Sequence, residues 1–426
     1  MKSNRIAVDV YYGEILITAT SSVGGYFLLE NFGGMTMSKR TCGTVIRGLR
    51  SPILREGDDL VQICTDILLS AAQNDGFSID DGDILGVTEA VLARTQGNYA
   101  SLEDIANDIN AKFPGDEIGL IFPILSRNRF SMILKGVAAT GKKITIQLSY
   151  PSDEVGNPLV SMEQIIAASV NPWSDVFTAD EFVKIFGNCK HPFTNVDYID
   201  MYRNIGNNTS IILANNPTEI LKHTKNVLVC DIHTRKITKQ VLQKAGANTM
   251  ALDEILDTGV DGSGYNPQFG LLGSNIANDT RLKLFPRNAD EFVGKVQRQI
   301  HERTGKMVEV LVYGDGGFKD PVAFIWELAD PVVSPGYTAG LGGLPNETKI
   351  KYLADSKFSN LTGDALNAAI KDYLHNEADD DFEKEGTTPR RIVDLVGSLC
   401  DLTSGSGSKG TPFVYIKGYF DHLGNE

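Results

Sequence analysis

Between residues 101 and 256 the chain repeats one pattern, a short apolar run followed by a stretch with helical spacing. Ile118-Gly-Leu-Ile-Phe-Pro-Ile-Leu125, Ile144-Thr-Ile-Gln-Leu148, Ile211-Ile-Leu-Ala-Asn215 and Val227-Leu-Val-Cys-Asp231 have the length and bulk of buried strands. The segment from Thr234 to Lys244 is typical of the helices expected between them. Strands that alternate with helices predict a small α/β unit. No apolar run approaches the roughly 20 residues that cross a bilayer, so no membrane span is expected.

The flanking regions differ. Ile6–Val10 and Glu14–Thr18 predict a strand pair about the turn Tyr12-Gly13. A helix is predicted from Asp58 to Ala72, capped by Asp58 or Asp59 and followed by Gly76, with Val61, Cys64, Leu68 and Ala71 on one face. Gly82–Thr88 is a short apolar strand with a polar edge. Ala289–Arg303 is a second helix, with Phe292, Val296 and Ile300 on one face and a stop at Gly305. Val308–Tyr313 is a strand that runs into Gly314-Asp315-Gly316-Gly317. Pro389–Leu399 is a helix, and Pro412–Lys417 a closing strand. The whole therefore reads as an α+β protein.

A formal net charge of -14 opposes nonspecific attraction to nucleic acid or anionic membrane, which requires an excess of Lys and Arg. A local basic pocket is compatible with it. The five cysteines, Cys42, Cys64, Cys189, Cys230 and Cys400, form no CxxC pair and read as buried free thiols. Met1–Thr20 lacks the basic start and apolar run of a signal peptide, so a cytoplasmic location is expected.

Several segments offer chemistry. Gly136-Val-Ala-Ala-Thr-Gly-Lys142 approaches a phosphate-binding loop, but Lys143 stands where Ser or Thr should hold Mg²⁺, and a strand follows instead of a helix. It reads as a hairpin loop. Asp315 ends an apolar strand before two glycines, where backbone can approach a phosphate. With Asp320, Glu327 or Asp330 it would supply the carboxylates that a hard divalent cation takes alongside phosphate and water. The same acids also serve as turn and cap residues in a purely structural reading. Ser404-Gly-Ser-Gly-Ser-Lys-Gly410 is either an anion-binding nest or a flexible linker. Ser126-Arg127-Asn128-Arg129 carries two guanidiniums able to grip carboxylate or phosphate, or is a surface basic patch. The six histidines show no metal-ligand spacing and read as structural or exposed.

Three blocks and the closing strand carry a likeness to a known family. They are Gly48–Leu60 with Asp81–Gly97, then Gly270-Leu-Leu-Gly-Ser-Asn275 with Arg281-Leu-Lys-Leu-Phe-Pro286, then Val312-Tyr-Gly-Asp315, and finally Gly410–Gly418. In content and order they resemble the gamma-glutamyl ligase of the deazaflavin coenzyme F420. The resemblance implies a ligase-like core split into residues 1–100 and 257–426, with 101–256 as an inserted α/β domain. It implies an intertwined homodimer that uses GTP with two divalent cations; for this chain GTP or ATP with Mg²⁺ or Mn²⁺ is expected. The nucleotide activates a small carboxylate acceptor, F420-like or folate-like, as an acyl phosphate, and the amine of glutamate displaces phosphate.

By position, the resemblance places Asp315 as a metal ligand, with Asp320 and Glu327 as further candidates. It puts Arg94 and Asn275 against the nucleotide, and wraps Gly405, Ser406 and Gly407 around phosphate or base. This sequence departs from the family at Leu272, which stands where a metal aspartate is expected, at Gly316, and at Glu89-Ala90, which stand where the nucleotide turn has Ser-Lys. Asp261 and Asp279 are substitute acids. Those departures give a second reading, a catalytically altered paralogue that binds a ligand or regulates.

Overall fold

The computed structural model describes residues 42–314 apart from 188, 193 and 207, together with 334–343, 348–376, 391–404 and 409–422; for 6–11, 14–19, 318–319, 326–327 and 333 it describes the backbone alone. The chain forms two compact units. One comprises residues 44–345 and 387–420, and the other residues 1–43, 346–386 and 421–426.

The second unit holds the antiparallel hairpin of β1 (Ile6–Tyr11) and β2 (Glu14–Ala19), as the alternation predicts. Its described residues also form two helices, at 350–355 and 363–375, and Lys357, from the segment between them, lies over the Tyr373 ring at 4.1 Å.

The larger unit opens with β3 (Val45–Leu49) and α1 (Leu60–Asp75). Asp59 caps α1 by accepting from the Gln62 N–H at 3.1 Å, and Gly76, at φ 67°, ends it in the left-handed region that favours glycine. Next come β4 (Ile84–Thr88), α2 (Glu89–Thr95), β5 (Tyr99–Ser101) and α3 (Leu102–Lys112). The middle segment contributes β6 (Glu117–Ile121), α4 (Phe130–Ala138), β7 (Lys143–Leu148), α5 (Met162–Ala167), β8 (Phe177–Thr178), α6 (Ala179–Phe186), α7 (Tyr198–Ile205), β9 (Thr209–Leu213), β10 (Asn226–Val229), α8 (Arg235–Lys244) and β11 (Asn248–Ala251). Then follow β12 (Asn275–Asn278), β13 (Arg281–Lys283), α9 (Ala289–Thr304), β14 (Glu309–Gly314), β15 (Phe318–Lys319), β16 (Trp326–Glu327) and β17 (Val333–Tyr337). After α10 (Ile350–Asp355) and α11 (Gly363–His375), the helices of the other unit, the chain returns as α12 (Ile392–Thr403) and β18 (Phe413–Lys417).

Both chain ends build one sheet, in the order β17-β14-β4-β18-β3. β14 lies parallel to β4, and β18 lies antiparallel to both β4 and β3. Alternate side chains go to opposite faces. Leu85, Val87, Val310, Val312, Phe413 and Tyr415 pack under α1 and α9, while Ile84, Leu311, Tyr313, Val414 and Ile416 pack under α12. Gly86 faces α12 and must lack a side chain, since a Cβ there would lie 2.5 Å from the Cys400 sulfur.

The middle segment forms a second sheet, β11-β10-β6-β7-β9-β8, parallel except for β8. Its faces also divide. Ile118, Leu120 and Leu228 join α3, α4 and α7, while Ile121, Val227 and Val229 join Leu242 of α8. The candidate phosphate loop at 136–142 is not a hairpin. Gly136 to Ala138 finish α4, and the turn that follows leads into a parallel crossover. Gly136 lets α4 approach α3, because a Cβ would lie 2.7 Å from Ile105. Lys142 Nζ donates to the Gly115 carbonyl, a structural role. Four cysteines are buried as expected, whereas Cys42 is exposed. Among the described residues no helix is long and apolar enough to cross a membrane.

Candidate functional site

A small antiparallel sheet, β12-β13-β5, is built from chain segments that precede and follow the six-stranded sheet. Its hairpin is closed by an Asx turn, in which Asn278 Oδ1 accepts from the Thr280 N–H at 3.0 Å and from its hydroxyl at 3.2 Å. Directly opposite residues share a face. Lys283 faces Asn275 on one side and Tyr99 on the other, and Arg281 faces Asn278 and Ser101. Since Arg281 and Lys283 are two apart on one strand, one face of this sheet carries Asn275, Asn278, Arg281, Lys283 and Tyr99.

Over part of that face lies a cavity of about 300 Å³ lined by Arg55, Glu56, Arg94, Tyr99, Ala277, Asn278 and Arg281. The Arg281 guanidinium stacks over the Tyr99 ring, 4.9 Å from its centre. Arg94 is oriented by donating from Nε to the Leu54 carbonyl at 2.6 Å. The Arg55-Glu56 loop is anchored by Gly57 N–H to the Thr95 carbonyl at 2.9 Å. Gly97, at φ 61°, brings the chain so close to Glu56 that a side chain there would strike the carboxylate. Three guanidiniums and one carboxylate thus converge, which suits an anion carrying more than one charge.

Beside the cavity lies a buried ion pair. Lys283 Nζ reaches the second carboxylate oxygen of Glu89 at 2.6 Å, and their side chains are 12% and 5% exposed. Glu89 opens α2 at the carboxyl end of β4. It packs on Gly314, the end of the parallel strand β14, where a Cβ would collide with it.

Arg94 therefore lines the cavity, and Asn275 sits one row along the same sheet face. Asp315, Asp320, Gly405, Ser406 and Gly407 lie outside the described residues, as does the side chain of Glu327, whose backbone in β16 pairs with Phe318 of β15. At the described end of the glycine-serine loop the Gly410 carbonyl accepts from the Ser51 N–H at 3.1 Å. Leu272 is buried in the apolar core. Asp261 and Asp279 are exposed, and among the described residues no three His, Cys, Asp or Glu side chains converge as a cation site. Sequence reasoning did not assign Arg55, Tyr99, Arg281 or the Glu89–Lys283 pair. The two-residue spacing of Arg281 and Lys283 in a strand was the available signal for a charged face.

The segments that frame this cavity are the ones whose order along the chain carries a family pattern. The family model described as F420-0:gamma-glutamyl ligase matches residues 48–418. The chain belongs to this family. No curated protein matches it. The matched span takes in every strand of the five-stranded sheet except the first residues of β3, and all of the arginine cavity. In this F420-0:gamma-glutamyl ligase family member the charge of Glu89, at the start of α2, is met by Lys283 from β13.

Proposed function

We propose that the protein is a nucleotide-dependent amide ligase that joins glutamate to a small carboxylate acceptor of the F420-like or folate-like kind. The observation that carries this reading is the convergence of Arg55, Arg94 and Arg281 on one cavity within a gamma-glutamyl ligase family member whose net charge is -14. An acidic chain that concentrates three guanidiniums has built a receptor for a polyanion, and a nucleoside triphosphate, GTP or ATP, is the polyanion this chemistry consumes.

In the proposed reaction an acceptor carboxylate oxygen attacks the terminal phosphorus, and the diphosphate nucleotide leaves. The glutamate amine then attacks the acyl carbon, phosphate departs, and the amine gives up its proton. The protein's part is positioning and charge compensation. The arginines hold the phosphates, the Tyr99 ring face backs the Arg281 guanidinium, and Asn275 lies along the same sheet face. Among the described residues no three His, Cys, Asp or Glu side chains form a divalent-cation site. Mg²⁺ or Mn²⁺ is proposed as the nucleotide's counter-ion, with Asp315, Asp320 and Glu327 as its proposed ligands and Gly405, Ser406 and Gly407 as proposed phosphate or base contacts. We also propose a cytoplasmic homodimer.

The test is release of the diphosphate nucleotide from GTP or ATP, dependent on both glutamate and an acceptor acid. Arg94→Ala and Arg281→Ala should each weaken triphosphate binding about tenfold to a hundredfold, the worth of a charge-assisted hydrogen bond of roughly 1.5–3 kcal/mol. Binding that is unchanged in both variants sinks this site. Buried Leu272 and the Glu89–Lys283 pair favour the second reading, a ligand-binding paralogue. Nucleotide binding without glutamate-dependent turnover would select it.

A further inference from the structure

The arginine cavity keeps its opposite charges apart. Glu56 lines it together with Arg55, Arg94 and Arg281, yet no guanidinium nitrogen comes within 4.0 Å of either Glu56 carboxylate oxygen. Among the described residues this carboxylate has no hydrogen-bond partner either. A carboxylate present only to offset three cations would pair with one of them through two parallel hydrogen bonds, the strongest contact open to it.

Local contacts hold each group where it is. The Arg94 guanidinium is turned by the Leu54 carbonyl, which accepts from Nε. The Arg281 guanidinium is laid over the Tyr99 ring. The Glu56 carboxylate lies against Gly97, where a Cβ would stand 2.4 Å from its Oε1. The loop that carries Glu56 is fixed on both sides, since the Arg55 N–H donates to Asp58 Oδ2 at 2.6 Å and the Gly57 N–H to the Thr95 carbonyl at 2.9 Å. The cavity therefore offers a cationic part to a polyanion and a separate anionic point to something else.

That point suits a cation that arrives with the polyanion, and the surroundings favour an ammonium over a divalent ion. A divalent ion collects about six oxygen ligands. Glu56 is the only carboxylate among the residues that line the cavity, and the side-chain oxygen of Asn278 is already used by Thr280. The three guanidiniums also repel a double charge more than a single one. An ammonium carries one charge and three donors, which it can divide between Glu56 and oxygens of the bound polyanion. In an amide ligation the second substrate is an amino acid, and its nitrogen must stand next to the phosphate-bearing carbon.

We propose that Glu56 binds the ammonium group of the incoming amino acid, beside the phosphates held by Arg55, Arg94 and Arg281, and so selects an acid that carries an amine; that the acid is glutamate rests on the ligase reading. The experiment is calorimetric titration of L-glutamate, and of glutarate, the same diacid without the ammonium, into the full chain with Mg²⁺ and a non-hydrolysable triphosphate present. The parent protein, Glu56→Gln and Glu56→Asp are compared, with melting temperature as the control for folding. A preference of the parent for glutamate of about tenfold or more, lost in Glu56→Gln and partly kept in Glu56→Asp, supports the site. Triphosphate affinity should not fall in Glu56→Gln, which removes a negative charge beside the phosphates. A fall marks Glu56 as a ligand of the nucleotide's metal ion and overturns the assignment. No glutamate binding by the parent, or an unchanged preference in Glu56→Gln, also overturns it. The two readings fail separately. Glutamate-dependent turnover with the parental KM for glutamate in Glu56→Gln removes the ammonium site and leaves the ligase. A Glu56-dependent preference for glutamate without nucleotide turnover removes the ligase and leaves the site.

Discussion

Glu89 and Lys283 hold each other because neither charge has enough water around it to stand alone. Lys283→Met strands a buried carboxylate and is expected to cost about 3–5 kcal/mol in urea unfolding, and Glu89→Gln with Lys283→Met should recover part of it. Titration adds two opposite signs. Burial raises the Asp231 carboxyl above its ordinary 3.8. The folded state then keeps this proton longer than the unfolded chain, so the stability it contributes is complete below that value and is lost as pH rises through the folded pKa. Asp231→Asn keeps an acceptor for the hydroxyls of Thr234 and Thr238 and should melt no lower than the parent at pH 7, with a flatter decline from pH 4 upward. Burial first, and then the charge of Arg127, lowers the His191 imidazole below 6.5, and its Nδ1 accepts from the Thr194 N–H at 3.2 Å. The unfolded chain binds that proton first, so the stability is present above about pH 6.5 and is lost on acidification. His191→Asn should shrink the fall in melting temperature between pH 7 and pH 5.

At the scale of elements, caps and close approaches matter more than propensity. Asp59 gives α1 its first turn, and Asp59→Ala should cost about 1 kcal/mol, read from the denaturant midpoint at unchanged slope. In β6, a Cβ on Gly119 would stand 2.7 Å from Ile220, which packs in the core beside Leu242 of α8. Gly119→Ala should therefore overpack that face by roughly 1–3 kcal/mol. If the melting temperature does not move, the packing argument for that face fails. The helices α1 and α9 were legible because their apolar residues recur at helical spacing and a glycine at positive φ follows each one. The end of α4 was not, because Gly136 and Thr140-Gly141 look like a turn until α3 supplies the surface that needs a small residue.

Over the whole molecule, the core sheet is a joint product of distant chain segments. β18 lies between β4 and β3, so residues 411–418 complete a sheet begun at residue 45. Truncation before Thr411 leaves those two strands without their shared partner and should abolish cooperative unfolding, which a calorimetric scan would show. The proposed homodimer predicts twice the chain mass by light scattering at micromolar concentration, and a single-chain mass would remove it. Neither result depends on the assignment of the arginine cavity.

The sequence alone determined the α+β class, the family and the run of strands and helices in the middle segment. Those features rest on local periodicity, on caps and on the order of blocks, all of which are written along the chain. Of the residues named from the resemblance, Arg94 lines the cavity. The companions Arg55, Tyr99 and Arg281, and the pairing of Glu89 with Lys283 across 194 positions, were decided by tertiary structure. A cavity is a property of which faces meet. The register of β13 against β5 and β12 determines which charges share a face, and strand pairing determines which buried charges neutralise each other; no local pattern encodes either.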